Sequence, residues 1–534
     1  MKTLYLKAED ENSITVAAEI LKKGGLVAIP TETVYGLAAD ALNPEAVKNI
    51  FIAKGRPQDN PLIVHVSSLE EIPPLVDEVD PRLYKLAEKF WPGPLTIILK
   101  KSSLIPDEVS AGLDTVAIRM PSHPIANKII KESGVPLAAP SANASGKPSP
   151  TRASHVLEDI DGKIDAIVDG GSCSVGVEST VITLATEIPT LLRPGGVTPE
   201  ELSEVLGEIE ISHAVFEKLN EGEKVQSPGM KYKHYAPKAQ VTIVKGSFEN
   251  YCKFVKAQKE ETCAVCFEGE GKNFDKYIEY GSADNSLAQA QHIFDALREV
   301  DAMGCKTAFV RCPVTTGVGL AVYNRLLRSA AFREINLDIS IPVYGLTGHT
   351  GAGKSTIGEM LEKANLKVID TDSLARKAVE NRDVIDRLCK AFGDDIIKDG
   401  VLERKALARK AFKDEESTKL LNSITHPEIT RLTIEAIHLA ESEGKKGAVI
   451  DAPVLFESPL TAVCNKIICV VAPEDVRLQR IMERDGISRE DALIRMGAQK
   501  SKEYYVSKSD FVIENNNLNE TKKRISEFLK EEML

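Results

Sequence analysis

Apolar positions in the first two hundred residues fall into short β-type runs separated by stretches of helical period. Residues 26–29, 61–66, 95–99, 115–120, 166–169 and 180–184 each read as a strand. Between them, residues 44–53 and 81–90 repeat apolar side chains at the three-to-four spacing of an amphipathic helix. Such alternation predicts a sheet layered with helices, with strand-end loops available to ligands. From 206 to 238 the period dissolves into a polar stretch ending SPGMKYKHYAPKA, which reads as a linker. Alternation then resumes, with strands at 240–244, 262–267 and 307–311 and an amphipathic helix over 286–299. The last third opens near Ile341 with a strand, a glycine-rich turn and a helix.

A length of 534 residues corresponds to three or four domains at about 150 residues each. No apolar run reaches the roughly 18 residues of a membrane helix, so no membrane partner is expected. The amino terminus turns acidic at Glu9-Asp10-Glu11 and lacks the apolar centre of a secretory signal. Nine cysteines without a repeating frame read as reduced thiols, which predicts a cytoplasmic protein. Cys263 and Cys266 form a C-x-x-C, but no second pair stands at metal spacing, so they read as buried thiols. A net charge of -12 argues against a protein whose main task is gripping nucleic acid phosphates.

The clearest chemistry lies at 348–355, GHTGAGKS, with a strand at 343–347 before it and helical period over 356–364 after it. Glycines let successive N–H groups curl inward toward phosphate oxygens, so Gly351, Ala352, Gly353, Lys354, Ser355 and Thr356 form a candidate ATP cradle. Lys354 would reach the terminal phosphates and Ser355 would ligate Mg²⁺. No Asn-Lys-x-Asp element is present to read guanine. The strand at 366–369 ends in Asp370-Thr371-Asp372, which puts carboxylates at the strand tip near the phosphate loop, and the strand at 448–450 ends in Asp451, a second candidate Mg²⁺ ligand. Arg480 and Arg484 stand one helical turn apart, with Arg495 further along, which reads either as a solvated face or as an arginine-bearing lid.

Residues 341–534 resemble the dephospho-coenzyme A kinases through GLTGHTGAGKST, IDTDSLAR, LNSITHPEI, DAPVLFE and the arginine-rich segment ending near Gln499. The resemblance implies phosphorylation of a ribose 3′-hydroxyl by ATP, with Asp372 orienting and deprotonating that hydroxyl. It also implies an acceptor site lined by the helix bearing Asn422, His426 and Pro427. His349, Thr350 and Ala352 depart from the family pattern at positions that offer backbone to the phosphates. The alternative is a P-loop kinase for another nucleoside or nucleotide.

In the front segment Lys54 and Arg56 precede a strand, Arg119 ends one, Ser141 and Asn143 occupy a tight turn, and Ser179 and Arg193 follow. Loops at one sheet edge can converge such groups into a pocket for a compact polyanion such as triphosphate. Residues 1–335 resemble the long-form threonylcarbamoyl-AMP synthases through PTETVYGLAADA, KGRPQDNPL, AIRMPSHP, PSANASGKPSPT, GVESTVI, LLRPGG and SPGMKYKHYAPKA. The resemblance implies condensation of L-threonine, bicarbonate and ATP to an acyl-adenylate with release of pyrophosphate. Partner proteins then pass the threonylcarbamoyl group to tRNA, and direct tRNA binding by this chain is not expected. Thr33, His65, Arg119, Ala139 and Ser179 are the implied threonine residues. Arg56, Asn60, Thr115, Ser141, Asn143, Ser149, Arg193 and Tyr235 are the implied ATP residues, with Lys54 and Arg56 carrying catalytic charge. The alternative is a non-catalytic RNA-binding module.

The fold class expected is α/β throughout: a YrdC-like twisted domain at 1–205, a linker or lid at 206–238, a small Rossmann-like accessory domain at 239–336, and a P-loop kinase domain with a parallel sheet at 337–534. ATP with Mg²⁺ serves as substrate, and no tightly bound organic cofactor is expected.

Overall fold

The computed structural model describes residues 2–218, 235–258, 261–398 and 400–534. The chain divides into two compact units, residues 1–243 with 261–334 and residues 244–260 with 335–534, and each is described by itself.

The first unit carries an eleven-stranded mixed sheet among its described residues. Its central strands decide where the chemistry lies. Ile63–His65 runs parallel to Thr115–Arg119 with His65 opposite Arg119, and Leu95–Lys100 pairs antiparallel with Thr96 opposite Arg119. Leu95–Lys100 then pairs with Thr180–Thr183, and an irregularity in Thr190–Arg193 sets Arg193 opposite Val181. His65, Arg119, Ser179 and Arg193 therefore come to one region of the sheet. The strand Gly36–Asp40, short and rich in small residues, carries little β-type signal in its sequence and was not anticipated.

Local signals fix the helices. Asn43 accepts from the amides of Glu45 and Ala46, Pro44 occupies the first turn, and Gly55 closes Pro44–Lys54 in the left-handed region at φ 62°. That stop leaves Lys54 in the last turn and Arg56 just beyond it. The stretch expected as linker holds order in its described part. Glu210–Ile211 pairs parallel with Thr190 and Leu191, and a single turn follows at His213–Val215. Backbone pairing there does not depend on an apolar period, so sequence periodicity missed it. The motif residues 227–234 lie outside the described residues. The accessory layer of this unit contains the parallel strands Tyr277–Glu279, Thr262–Cys266 and Thr307–Arg311, with the helices Ser286–Ala302 and Gly317–Ser329. Cys263 and Cys266 are both fully buried.

The second unit is built on a parallel sheet ordered Leu366–Asp370, Gly447–Asp451, Val343–Gly348, Lys466–Val471 and Phe511–Glu514. Parallel order brings all carboxyl ends to one edge, the usual ligand edge of such sheets. Asp370 lies opposite Asp451 there. No helix among the described residues is long and apolar enough to cross a membrane.

Candidate functional site

The first cavity is lined by Thr33, Lys54, Arg56, His65, Arg119, Ala139, Ser141, Asn143, Ser179, Arg193 and Tyr235, all singled out above. Asn60, Thr115 and Ser149 stand outside that lining. Asn60 is fully buried, and its amide has no hydrogen-bond partner among the described residues. Thr115 starts the strand that Arg119 ends, and Ser149 donates to Glu178.

Lys54 acts first on the protein itself. Its ammonium donates to the carbonyls of Ser141 and Asn143 and to Asn143 Oδ1, so its three protons brace the turn at 141–143. Burial pushes its pKa well below the ordinary lysine value. Arg193 donates through Nε to the Ser179 carbonyl at 3.0 Å and through an Nη to Ser179 Oγ at 3.2 Å. Burial lowers its pKa to about 10. Arg119 stands 2.7 Å from Glu32, both side chains nearly fully buried. Burial would raise the Glu32 pKa, but Arg119 outweighs it and holds the carboxyl below its usual range. Sequence reasoning passed over Glu32 and Glu178, although each adjoins a residue it chose. An acid in an anion site looks misplaced until its buried arginine partner is seen.

His65 is buried, with Nδ1 3.1 Å from the Ile63 carbonyl. Burial, with Arg119 second, lowers its pKa to about 3, so the ring is neutral at pH 7. The unfolded chain takes up a proton near pH 6.5, while the folded chain resists until about 3. His65 therefore costs stability at about 1.4 kcal/mol per pH unit as pH falls below 6.5. Unfolding midpoints of His65→Gln should fall less steeply between pH 6.5 and 4 than those of the parent chain. Parallel slopes in urea titrations would contradict this.

The second cavity is lined by Thr350, Gly351, Gly353, Lys354, Ser355, Thr356, Asp370, Asp372, Asp451, Arg480 and Arg484, while Ala352 stands outside that lining. The backbone curl requires glycine. Gly348 has φ 139°, and a Cβ there would sit 2.2 Å from the Val470 carbonyl oxygen. Gly353 has φ 93°, and its Cβ would meet Asn515 Nδ2 at 2.0 Å. Gly353 caps the helix Lys354–Lys363, so the amide-rich helix start faces the cavity. Lys354 donates to the Gly348 carbonyl at 3.2 Å, and burial lowers its pKa. Arg480 donates to the carbonyls of Gly351 and Ala352 at 3.3 Å, tying its helix to the loop. His349 packs edge-on to Tyr505 with ring centroids 4.8 Å apart.

Asp370 caps Thr371–Ala378 by accepting from the Asp372 amide at 3.0 Å, which fixes the start of that helix. Burial raises the Asp451 pKa to about 6, Lys354 opposes this, and Asp370 and Asp372 add to it. Arg495 lies outside the lining and pairs with Asp485, on the helix Arg489–Gly497 rather than the Glu474–Asp485 helix of Arg480 and Arg484. Asn422 and His426 lie on the long helix Glu415–Ser442, also outside the lining.

Together the cavities define an enzyme of nucleotide chemistry with one cradle of basic side chains and one of curled main-chain amides. Comparisons with known proteins give its families. The family described as "Telomere recombination" matches residues 19–195, "Threonylcarbamoyl-AMP synthase, C-terminal domain" matches 197–331, and "Dephospho-CoA kinase" matches 342–520. The threonylcarbamoyl-AMP synthase of Pyrococcus abyssi is 47% identical over 336 residues, covering 61% of this chain and 97% of that protein. The dephospho-CoA kinase of Listeria monocytogenes is 38% identical over 189 residues, covering 35% of this chain and 94% of that protein. The crystal structure of P. abyssi Sua5 complexed with L-threonine aligns with a TM-score of 0.59 at 44% identity, covering 63% of this chain and 99% of that one. The chain belongs to the threonylcarbamoyl-AMP synthase family over its front part and to the dephospho-CoA kinase family over its back part.

Proposed function

We propose that this chain catalyses two reactions. The first cavity condenses L-threonine, bicarbonate and ATP to threonylcarbamoyl-AMP, pyrophosphate and water, for the threonylcarbamoyladenosine modification of tRNA. The second transfers the γ-phosphoryl of ATP to the ribose 3′-hydroxyl of dephospho-coenzyme A. The observation that carries the reading is the convergence of Lys54, Arg56, Arg119, Ser179, Arg193 and Tyr235 on one cavity and of Lys354, Ser355, Asp372 and Asp451 on another.

In the first site Arg119 meets the threonine carboxylate, exchanging its pairing with Glu32, while Thr33, Ser179 and the backbone at Ala139 position the amino acid. A carbamate oxygen of the carboxylated amine attacks the α-phosphorus, and the bond to pyrophosphate breaks. Arg56 and Arg193 stabilise the charge gathering on the leaving group, while Lys54 holds the Ser141–Asn143 turn against the nucleotide. Tyr235 closes the site. Neutral His65 adds no cation beside Arg119 and can accept a hydrogen bond from substrate. Proteins of tRNA modification take the product.

In the second site the 3′-oxygen attacks the γ-phosphorus in line, Asp372 takes the hydroxyl proton, and ADP leaves. Lys354 and Arg480 hold the phosphate oxygens, and Arg484 closes over them. Asn422, His426 and Arg495 belong to acceptor and lid surfaces beyond the phosphate cradle. Asp451 Oδ1 is buried without a hydrogen-bond partner among the described residues and shares its cavity with Ser355, a donor set that fits Mg²⁺. Ser355 and Asp451 would hold the ion, which when bound neutralises phosphate charge. Because burial raises the metal-free Asp451 carboxyl to about 6, Mg²⁺ must compete with a proton there, and the Mg²⁺ concentration that gives half-maximal ADP formation should rise as pH drops through about 6. A Mg²⁺ requirement unchanged from pH 7 to 5 would contradict that role.

Product analysis of the purified chain tests both assignments. Pyrophosphate should appear only with threonine, bicarbonate and ATP, and ADP only with dephospho-coenzyme A and ATP. ADP formation with nucleosides instead would replace the second reading.

A further inference from the structure

A carboxylate in the wall of an anion cradle repels the anion unless something cancels it. Glu178 is such a group, 6% exposed and part of the first cavity's lining. One of its carboxylate oxygens accepts from the Ser149 hydroxyl. The other accepts from Arg325 Nε at 2.6 Å, and its main-chain carbonyl accepts from Arg325 Nη2 at 3.2 Å. Arg325 comes from the accessory helix Gly317–Ser329 and heads the fully buried side chains among the described residues. Its Nη1 donates to Asn324 Oδ1 at 2.9 Å, and Asn324 in turn donates to the Val215 carbonyl at 2.7 Å. The same guanidinium lies 5.8 Å from the centre of the Tyr235 ring, which also packs on Phe294 at 5.1 Å. Arg193 feels both Arg325 and Glu178.

We infer that Arg325 is a positioning residue of the synthase: it neutralises Glu178 and seats Tyr235, so that Arg193 and the closing ring stay directed at the nucleotide. This gives the accessory layer a task, the supply from outside the cradle of the counterion that the cradle's own acid requires. Without Arg325, Glu178 faces the incoming triphosphate as an uncompensated charge and recruits Arg193 as its partner. ATP binding should suffer, whereas the threonine residues Thr33, His65 and Arg119 keep their own contacts. The inference rests on the first cavity being the synthase site.

The test uses the full chain and pyrophosphate release. Arg325→Met should raise the KM for ATP about tenfold or more and leave the KM for threonine within about twofold. Adding Glu178→Gln to Arg325→Met should restore most of the loss, because the uncompensated charge is gone. A role in packing alone would lower the unfolding temperature without moving the ATP KM of the folded protein. If Arg325→Met does not fold, Arg325→Lys, which keeps charge but loses the two-point contact, should raise the ATP KM several-fold. An ATP KM equal to the parent's in the folded arginine variant overturns the inference, as does a double variant no better than the single. With the kinase cradle disabled by Lys354→Ala, the Kd of a non-hydrolysable ATP analogue gives the same comparison without turnover. Failure of the parent chain to release pyrophosphate would therefore count against the proposed reaction, and an unmoved Kd against Arg325.

Discussion

Replacing Lys354 by alanine should cut ADP formation with dephospho-coenzyme A by about 10²–10³-fold, about 3–4 kcal/mol of transition-state stabilisation, by analogy with loss of one preorganised donor. Lys354 lies half-buried in the wall of the cavity, where its charge acts at an effective dielectric below that of water. Its own hydrogen bond to Gly348 keeps it poised, while the charges of Asp451 and Asp372 favour its protonated form. Pyrophosphate release should be unchanged in the same protein, because none of the groups lining the first cavity lies beyond residue 235. Loss of both activities in a folded variant would contradict the separate-site account.

Replacing Arg193 by alanine should have the converse effect: pyrophosphate release about 10²-fold lower or more, with ADP formation unaltered. Arg193 is fixed by two bonds to Ser179, so its guanidinium meets the leaving group without first being ordered. Truncation also leaves a buried carbonyl and hydroxyl short of a donor, so part of the loss is local rearrangement. Measuring kcat and the ATP KM separately divides the two contributions. A rise confined to the threonine KM would place Arg193 in the amino-acid pocket instead.

How much of this was readable in the chain depends on the range of the interaction. The phosphate loop was legible because its chemistry is local: three glycines, a lysine and a serine within eight residues already dictate a curl and a helix start. The Lys54–Arg56 stop was legible for the same reason, since Gly55 marks the end of a helix whose start is signed by Asn43 and Pro44. What brings Arg119 to His65 is sheet register across more than fifty residues, which periodicity does not specify. Glu178 and Arg325 are 147 positions apart, and nothing in the local pattern around either one points to the other. Arg495 shares a basic segment with Arg480 and Arg484, but the break at Gly486 puts it on a new helix, where it pairs with Asp485 outside the cavity lining.

The central claim is that one polypeptide holds two independent triphosphate cradles of different construction. Calorimetric titration of the full chain with a non-hydrolysable ATP analogue, in the presence of threonine and Mg²⁺, counts them. Two equivalents should bind to the parent chain, with Lys354→Ala and Arg193→Ala each weakening a different one. A single equivalent, weakened by both substitutions alike, would contradict it.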